Sequence, residues 1–495
     1  MSKLTPEQIF NRYQDGEIDK ATAINYLKIL LKNSDNGRVR RAAVKFLGII
    51  GAGSGDLYEF FEHLLVSDNY KIVRGACAEV LIQNYLDRCA EVIRHAINHD
   101  QSANCLLTIL EALERNSSEK SKSLIKYWYD EMRAWLKELF NGVSTEGFDE
   151  LPAREFLGVI LLTENAQARN FALGYVPKIK KQRGHVVGIS LENVNNIGRS
   201  FLKFFPYLTE LALLDSYPGD YTGLSRLKVL NIVGHHNFYF DRIGKIKGLE
   251  TLVNLERLNL SHNSIRKIEG FDFLLSLKQL DLSWNPIEEI ENLGHLKKLE
   301  ILKLFRLLVS EIKNLEGLIN LRELDLSTDD KLGASITELK GLEGLVNLKK
   351  LSLANRGVTE IKGLDNLINL EYLDLFGNDI VEINSLDNLV NLRYLNLGCN
   401  KITDLKGLEG VKNLRGLSIV GNKIKKIDIL EALEGLEVLN VDKGLFIELD
   451  ILSGLKNLSW LYSDMWFDFN SWFNYDSKND KLGNQIYLLN RSKKN

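Results

Sequence analysis

A leucine pattern that recurs at an almost constant step limits the possible folds of this chain more than any other feature. Clear copies of the motif LxxLxL begin at Leu255, Leu277, Leu299, Leu321, Leu348, Leu370, Leu392, Leu414, Leu436 and Leu458. Consecutive copies are 22 positions apart except for one step of 27, and weaker copies at Val186, Leu208 and Leu227 bring the total to thirteen units. A unit of this length cannot bury its own apolar face, so neighbouring units must stack into a solenoid.

Within each unit the spacing of the apolar residues changes halfway. The pattern LxxLxLxxNxIxxIxxLxxL begins with period two, which predicts a short strand. It continues with a spacing of three, which suits tight helical turns. Stacking of such units places the strands side by side. We therefore predict an α+β repeat protein whose larger part is a curved solenoid with a parallel sheet on its concave side.

An asparagine at the ninth position of the unit has a predicted structural role. Its amide both donates and accepts, so it can satisfy backbone groups that the bend after the strand leaves unpaired. The units that carry it have Asn263, Asn285, Asn378, Asn400 and Asn422. Leu307, Asp329 and Arg356 occupy this position in the middle of the series, so we expect local irregularity there.

Residues 1–175 carry apolar side chains at three- and four-residue spacing, which is typical of helices. The stretch VRRAAVKFLGII from Val39 aligns with VRGACAEVLIQN from Val73, and a weaker copy begins at Ser102. Helices that repeat in this way are predicted to stack into an α-solenoid.

These two patterns resemble known repeat families. Residues 186 to about 465 resemble the 22-residue leucine-rich-repeat class, which includes bacterial internalins and a eukaryotic regulatory subunit of protein phosphatase 1. The helical segment resembles HEAT repeats. For the fold, the resemblance implies a leucine-rich-repeat horseshoe that follows a HEAT-like solenoid. For function it implies only binding, because proteins of this class bind many different partners.

The patterns predict three segments. Residues 1–175 form a HEAT-like domain, residues 176–465 the leucine-rich-repeat solenoid, and residues 466–495 an aromatic C-terminal cap with a polar tail. We interpret the basic run VPKIKKQRG from Val176 as the solvated cap that starts the sheet; the alternative is an anion-binding patch. We interpret the aromatic stretch from Trp466 as a cap over the last repeat, with a partner-binding tail as the alternative.

The residues between the inward leucines of each strand are predicted to face the concave surface. On adjacent strands these include Tyr372, Phe376 and Tyr394, so we expect one exposed aromatic cluster, with Phe305 three units away. Grouped aromatic side chains of this kind anchor protein interfaces.

Acidic side chains are expected on the same face. Asp281, Asp325 and Asp374 share the fifth position of their units. The predicted partner is therefore another protein with basic and apolar groups at its contact surface, and the predicted binding residues are these aspartates together with the four aromatic residues.

Two long units add loops to one rim of the predicted horseshoe. One extends from Leu227 to Asn254 and the other from Leu321 to Asn347, so both are longer than the regular repeat. In both, the inward pattern resumes late, so the extra residues, near 235–240 and 329–335, are expected just after the strand. Loops on a rigid scaffold often carry recognition, although drifted insertions without a role are an equal alternative.

Motifs for catalysis are missing from the sequence. There is no GxxxxGK[ST] loop and no GxSxG elbow, and GAGSG from Gly51 is interpreted as a turn between helices. His95 and His99 have a spacing that can hold zinc, but no third ligand accompanies them, so we interpret them as surface residues. We expect a non-enzymatic protein with no cofactor and no metal.

The charge and cysteine content of the sequence indicate the compartment of the protein and exclude some classes of partner. Lys plus Arg is 63 and Asp plus Glu is 66, so no bulk charge favours nucleic acid or an anionic membrane. No apolar run has the length of a signal peptide or a membrane span. The four cysteines show no CxxC spacing and are interpreted as reduced thiols. We expect a cytoplasmic chain that contacts no membrane.

The predicted function is a scaffold or adaptor that binds a partner on the concave leucine-rich face. One alternative is nucleic-acid binding by the helical half, through Arg38, Arg40, Arg41 and Lys45. Against it, the repeated Asp-to-Arg spacing predicts that Arg40 and Arg74 form an inter-repeat ladder with Asp35 and Asp68. A second alternative, a regulatory subunit of a phosphatase or a small GTPase, rests on the family resemblance.

Overall fold

The chain is described from a computed structural model. It describes residues 4–100, 102–140, 151–152, 155–159, 178–192, 202–214, 221, 224–234, 243–329, 335–442 and 455–462. The chain divides into two compact units, residues 1–187 with 201–207 and residues 188–200 with 208–495. The segment boundary expected after residue 175, residues 235–240 and 330–334 of the insert loops, and the aromatic stretch from Trp466 lie outside the described residues.

Helices with described bounds make up most of the first unit. They are α1 (Pro6–Gln14), α2 (Lys20–Asn33), α3 (Gly37–Ile50), α4 (Gly55–Ser67), α5 (Lys71–His99), α6 (Ala103–Asn116) and α7 (Glu119–Phe140). Side-chain caps mark several starts, because the first backbone N–H groups of a helix need acceptors. Thr5 and Gln8 form a reciprocal capping box at α1, and Asp19 accepts from the Thr22 N–H at α2. No described helix is long and apolar enough to cross a membrane.

Equivalent helices of successive repeats pack closely. A Cβ atom on Gly48 of α3 would lie 2.6 Å from Val80 Cγ2 of α5, so a glycine is required for this approach. The aligned stretches from Val39 and Val73 thus lie in helices that pack against each other, as stacked repeats require.

The predicted arginine–aspartate ladder is present, with a different pairing. Arg40 pairs with Asp68, and Arg74 holds both carboxylate oxygens of Asp100, at 2.8 and 2.9 Å. Each arginine reaches forward to the aspartate that precedes the next repeat. Asp35 takes no part in these pairs, and its backbone carbonyl accepts from the Tyr70 hydroxyl. The prediction that Asp35 is a member of the ladder is therefore wrong.

A buried glutamate anchors the start of the second strand. Residues 155–159 are helical, and the Glu155 side chain is 1% exposed. Its carboxylate accepts from the Val186 N–H at 2.6 Å and lies 2.8 Å from His185 Nδ1. The backbone donor and the ring nitrogen satisfy a carboxylate that would otherwise be costly to bury.

In the described part of the chain, fourteen strands form one sheet in chain order. They are β1 (Lys178–Gln182), β2 (His185–Glu192), β3 (Glu210–Leu214), β4 (Val229–Val233), β5 (Arg257–Asn259), β6 (Gln279–Asp281), β7 (Ile301–Lys303), β8 (Glu323–Asp325), β9 (Lys350–Ser352), β10 (Tyr372–Asp374), β11 (Tyr394–Asn396), β12 (Gly416–Ser418), β13 (Val438–Asn440) and β14 (Trp460–Tyr462). Strands β2 to β14 are the thirteen units expected from the leucine pattern. Strand β1 is the first strand of the sheet, and Lys178, Lys180 and Lys181 are exposed on it, as both a solvated cap and an anion-binding patch require.

Strands β2 to β14 pair in parallel with equivalent residues side by side. Leu373 of β10, for example, faces Leu351 of β9 and Leu395 of β11. The central strand leucines are at most 2% exposed from β5 to β13. Burial of one leucine contributes about 1.5–3 kcal/mol relative to exposure, so this row and its equivalents hold the solenoid together.

The ninth-position asparagines bond to backbone groups, as predicted, and in doing so they also link neighbouring units. The Asn378 side-chain amide donates to the carbonyls of Leu353 and Leu375, which belong to two successive units. Its Oδ1 accepts from the Val358 N–H at 3.0 Å. Asn263, Asn285, Asn400 and Asn422 make the equivalent bonds.

The interruption of this series is filled by an arginine. Arg356 is 1% exposed, and its guanidinium donates to the carbonyls of Leu307, at 3.1 Å, and Val309. It therefore reaches across the long unit that begins at Leu321. The expected irregularity exists, and one long cationic side chain bridges it.

Candidate functional site

Three rows of side chains define the sheet face that the sequence predicted to bind a partner. They come from positions three, five and seven of each unit, and the parallel register aligns every row across the sheet. Neighbouring strands lie about 4.8 Å apart, so side chains of one row touch their equivalents in the next unit. Exposure on this face is therefore set by the neighbouring units as well as by the residue itself.

Tyr372 is buried, which corrects the prediction of an exposed cluster centred on it. Its side chain is 1% exposed. The Lys350 ammonium lies 5.2 Å from its ring centre on one side, and Tyr394 is its register partner on the other. Side chains as long as these cover a ring between them when the strands are so close. Tyr372 therefore supports the face from within and offers little contact area.

Phe376 and Tyr394 remain partly exposed. The Phe376 ring packs over Gly398, whose added Cβ would lie 3.0 Å from Phe376 Cδ2. Burial of its phenol raises the pKa of Tyr394. These two aromatic residues are the part of the predicted cluster that the structure leaves accessible.

The aspartates at position five close the turn after the strand. Asp281, Asp325 and Asp374 each accept the N–H of the residue two positions on, at 2.9 to 3.0 Å. Asn259 and Asn396 make the same bond in their own units. The position thus selects for a short side chain with an oxygen acceptor, and the acidic charge is additional to that role.

Two of these carboxyl groups have perturbed titration. Burial raises the pKa of Asp374 to about 6; the N–H of Phe376 opposes this shift, and the nearby charge of Asp325 adds to it. Burial also raises the pKa of Asp325. Lys350, 3.7 Å from Glu323, partly neutralises this acidic surface.

Position eight of the regular units has a left-handed backbone. Its φ is +59° at His262, +60° at Trp284 and +58° at Arg306. Of the other units, three have Asn355, Gly377 and Gly421 there, which adopt this conformation readily, and one has the small residue Cys399. Three consecutive units therefore hold bulky side chains at a position that favours glycine or asparagine.

These bulky side chains stack on one another at the edge where the strands end. The His262 and Trp284 rings are 4.9 Å apart and 20° from parallel, and the Arg306 guanidinium lies 4.3 Å from the Trp284 ring centre. The ring centres of Phe305 and Trp284 are 5.7 Å apart, and the Asp329 carboxylate lies 3.0 Å from the Arg306 guanidinium. We call His262, Trp284, Phe305 and Arg306 the Trp284 stack.

Phe305 is the only member of this stack that the repeat pattern predicts to bind a partner. The signal for the others was available: His262, Trp284 and Arg306 stand directly before position nine in three successive units. The sequence does not show that these side chains pack together. They do so because the left-handed backbone at each position places the three side chains against one another.

Other candidate chemistry is accounted for by packing. The His95 and His99 rings stack on each other at 4.2 Å on an exposed helix face. Within the described part of the chain, no three His, Cys, Asp or Glu side chains are grouped so that they could hold a metal ion. Cys77, Cys89 and Cys105 are buried free thiols, and burial raises the pKa of Cys89 to about 12.

The helical repeats and the leucine-lined sheet define a repeat protein that joins HEAT repeats to leucine-rich repeats. Comparison with family models gives the same two classes: a leucine-rich-repeat model matches residues 253–295 and 368–410, and a HEAT-repeat model matches residues 16–82. A comparison with curated proteins finds no match.

Solved structures with similar backbones include the three that follow. An internalin from Listeria monocytogenes is 21% identical, covers 66% of this chain and 95% of its own, and has a TM-score of 0.47. A leucine-rich-repeat protein from Leptospira interrogans is 25% identical over 53% of this chain and 68% of its own, with a TM-score of 0.45. TLR13 in a complex with ssRNA is 24% identical over 53% of this chain and 41% of its own, with a TM-score of 0.44.

Proposed function

We propose that the protein is a non-catalytic scaffold that binds a partner protein on the face and carboxyl-end edge of its leucine-rich sheet. The observation that carries this proposal is the Trp284 stack. A left-handed backbone costs a bulky residue about 1–2 kcal/mol, and three consecutive units bear that cost. A binding role accounts for large side chains at this position, where Asn355, Gly377 and Gly421 stand in other units.

The composition of the surface supports a protein as the partner. Tryptophan and arginine are the residues that most often dominate protein interfaces, and stacking holds them in one conformation before binding. Phe376 and Tyr394 supply a second aromatic group on the same sheet. Asp281 lies in the same unit as Trp284, and Asp325 lies on β8, between the two aromatic groups. The partner surface is therefore expected to combine apolar and basic side chains.

The charges favour a protein over nucleic acid. Arg306 is already paired with Asp329, and the aspartate row would repel phosphates. In the helical half, Arg40 of the predicted basic stripe is engaged with Asp68, and Arg74, its equivalent in the next repeat, with Asp100. A role as a regulatory subunit of a phosphatase or a small GTPase is one form of the proposed scaffold.

The test is a quantitative capture experiment with the full chain and lysate of the source organism. One variant carries Trp284→Ala with Phe305→Ser; a second carries Phe376→Ser with Tyr394→Ser. Tyr372 is left unchanged because its substitution would disturb the buried row. The control is Phe273→Ser, which removes a 56% exposed aromatic residue from the turn before β6.

We expect a protein that the native chain and the Phe273→Ser control retain and that the Trp284 variant loses at least about tenfold, which corresponds to about 1.4 kcal/mol. Nuclease treatment should leave this capture unchanged. Equal capture by the native chain and both aromatic variants, or capture of nucleic acid alone, would remove the basis for the proposal.

A further inference from the structure

A row of aliphatic side chains runs along the opposite edge of the sheet, where the chain enters each strand. The residues stand two positions before the LxxLxL motif and are between 45% and 57% exposed: Val253, Leu275, Ile319, Val346, Ile368 and Val390. Lys297 and Lys412 occupy the same position at either end of the last four. We call Ile319, Val346, Ile368 and Val390 the aliphatic row.

The backbone of the aliphatic row is held rigidly. Each row residue is followed by an asparagine, and the side chain of that asparagine donates to the carbonyl at the same position of the preceding unit. Asn369 donates to the Val346 carbonyl at 2.9 Å, and Asn391 to the Ile368 carbonyl at 2.8 Å. The half-exposed side chains therefore project from fixed positions, one per unit, about 4.8 Å apart along the sheet.

Charged rows lie on both sides of the aliphatic row in each unit. In these turns every third residue is buried, as Leu367 and Leu370 are, so outward residues also recur every third position. Three residues before the row, the exposed side chains are all acidic: Glu316, Glu343, Asp365 and Asp387. Three residues after it stand Arg322, Lys349, Glu371 and Arg393. Lys349 pairs with Glu371 at 2.7 Å, so Arg322 and Arg393 supply the net positive charge of this row.

This order of acidic, aliphatic and basic rows is complementary to itself. A two-fold axis that runs along the aliphatic row places one acidic row against the basic row of a second copy. It also brings the two aliphatic rows together. A two-fold axis perpendicular to the row would oppose acidic to acidic residues, which like-charge repulsion disfavours. We propose that the aliphatic row is the contact surface of a parallel homodimer of this chain.

The proposed contact is small. Four half-exposed aliphatic residues and two charged rows form a surface at the low end of specific interfaces, below about 1,200 Å² in total. We therefore expect a reversible dimer with a dissociation constant on the order of micromolar. Its surface lies at the amino-end edge of the strands, whereas the Trp284 stack lies at the carboxyl-end edge, so both contacts can form at once.

The first measurement is sedimentation velocity of the full chain over a range of concentrations. The native chain should shift from monomer to dimer as its concentration rises. The variant Val346→Ser with Ile368→Ser should weaken the dimer about tenfold or more, because it removes half of the aliphatic contact. Circular dichroism confirms that the exposed substitutions leave the fold intact.

A charge-swap experiment tests the parallel arrangement. One variant carries Glu316→Lys and Asp387→Lys; the other carries Arg322→Glu and Arg393→Glu. Each alone should be monomeric, since like charges then face each other. An equimolar mixture should recover the dimer, because the reversed rows complement each other. The control Lys425→Glu with Lys426→Glu changes exposed charges elsewhere on the solenoid and should dimerise as the native chain does.

Three results would overturn the proposal. They are a native chain that stays monomeric at every concentration, a dimer that the serine variant does not weaken, and charge-swap variants that fail to dimerise when mixed. A monomeric native chain whose serine variant loses a foreign protein in the capture experiment would instead assign the row to a different partner. The Trp284 variant tests the proposed function separately, since it should still dimerise.

Discussion

Position nine of the repeat shows how two chemically different side chains can satisfy the same kind of backbone group. An asparagine bonds to the carbonyls of its own and the neighbouring unit, whereas Arg356 reaches the carbonyls of Leu307 and Val309 across an intervening unit. The buried guanidinium carries a cost, visible in the lowering of the pKa of Arg356 by burial. Its bonds to the two carbonyls offset that cost.

Substitution of Arg356 by Met should therefore destabilise the leucine-rich solenoid. Methionine fills similar space but leaves two buried carbonyls unpaired, for an expected loss of about 2 kcal/mol after relief of the buried charge. The free energy of unfolding, from urea titration followed by circular dichroism, measures the effect. Lys401→Met, at an exposed ion pair with Asp379, is the control and should change stability by less than about 0.5 kcal/mol. Equal stability of the two variants would show that Arg356 has no bridging role.

The raised pKa of Asp374 predicts that the stability of the fold depends on pH. Its pKa in the folded chain, about 6, is above the ordinary value of 3.8. The proton on this carboxyl group therefore stabilises the fold fully below about pH 4, and the contribution is lost as the pH rises through about 6.

The variant Asp374→Asn should be more stable than the native chain at pH 7.5, by about 1–2 kcal/mol after allowance for partial solvent screening. Asparagine keeps the acceptor for the Phe376 N–H, as Asn396 does for Gly398 in the next unit. The advantage should disappear near pH 4. Thermal melts between pH 4 and pH 8 give the comparison, and a difference that does not vary with pH would contradict the assigned burial effect.

Among the helices, the arginine–aspartate ladder links one repeat to the next. Arg74 donates to both oxygens of Asp100 and to the Asp68 carbonyl, so it joins the starts of successive repeats. Burial acts to raise the pKa of Asp100, but the hydrogen bonds from Arg74 outweigh it, and the pKa is lowered. The pair thus acts on the stacking of helices rather than on a single helix.

A double-mutant cycle tests this link. Arg74→Met and Asp100→Asn should each destabilise the helical unit, and the two changes together should cost less than their sum. The side chains are 19% and 5% exposed, so we expect a coupling energy of about 2 kcal/mol, measured from chemical unfolding. The exposed pair Lys122 and Glu119 is the matched control, with an expected coupling below about 0.5 kcal/mol. Strictly additive effects of the two substitutions would show that the Arg74–Asp100 pair does not stabilise the stacking of the helices.

The strands show which element properties can be predicted from local pattern. The constant repeat period and the alternation within LxxLxL predicted the number of repeat strands, their parallel order and the inward leucines. The basic run at β1 was correctly interpreted as the start of the sheet. These properties follow from burial of an apolar face that recurs at constant spacing, and they need no knowledge of the partner residues.

At the scale of the whole molecule, the sequence by itself determined the architecture: a helical-repeat unit followed by a leucine-rich solenoid, with asparagines that satisfy backbone groups after each strand. Only the tertiary structure decided which side chains of the sheet are accessible and which are joined. It buries Tyr372 between Lys350 and Tyr394, bridges the gap in the asparagine series with Arg356, and gathers His262, Trp284 and Arg306 into one stack. The physical reason is that exposure, titration and stacking depend on residues at least one full repeat away in the chain, which stacked units bring within about 5 Å of each other.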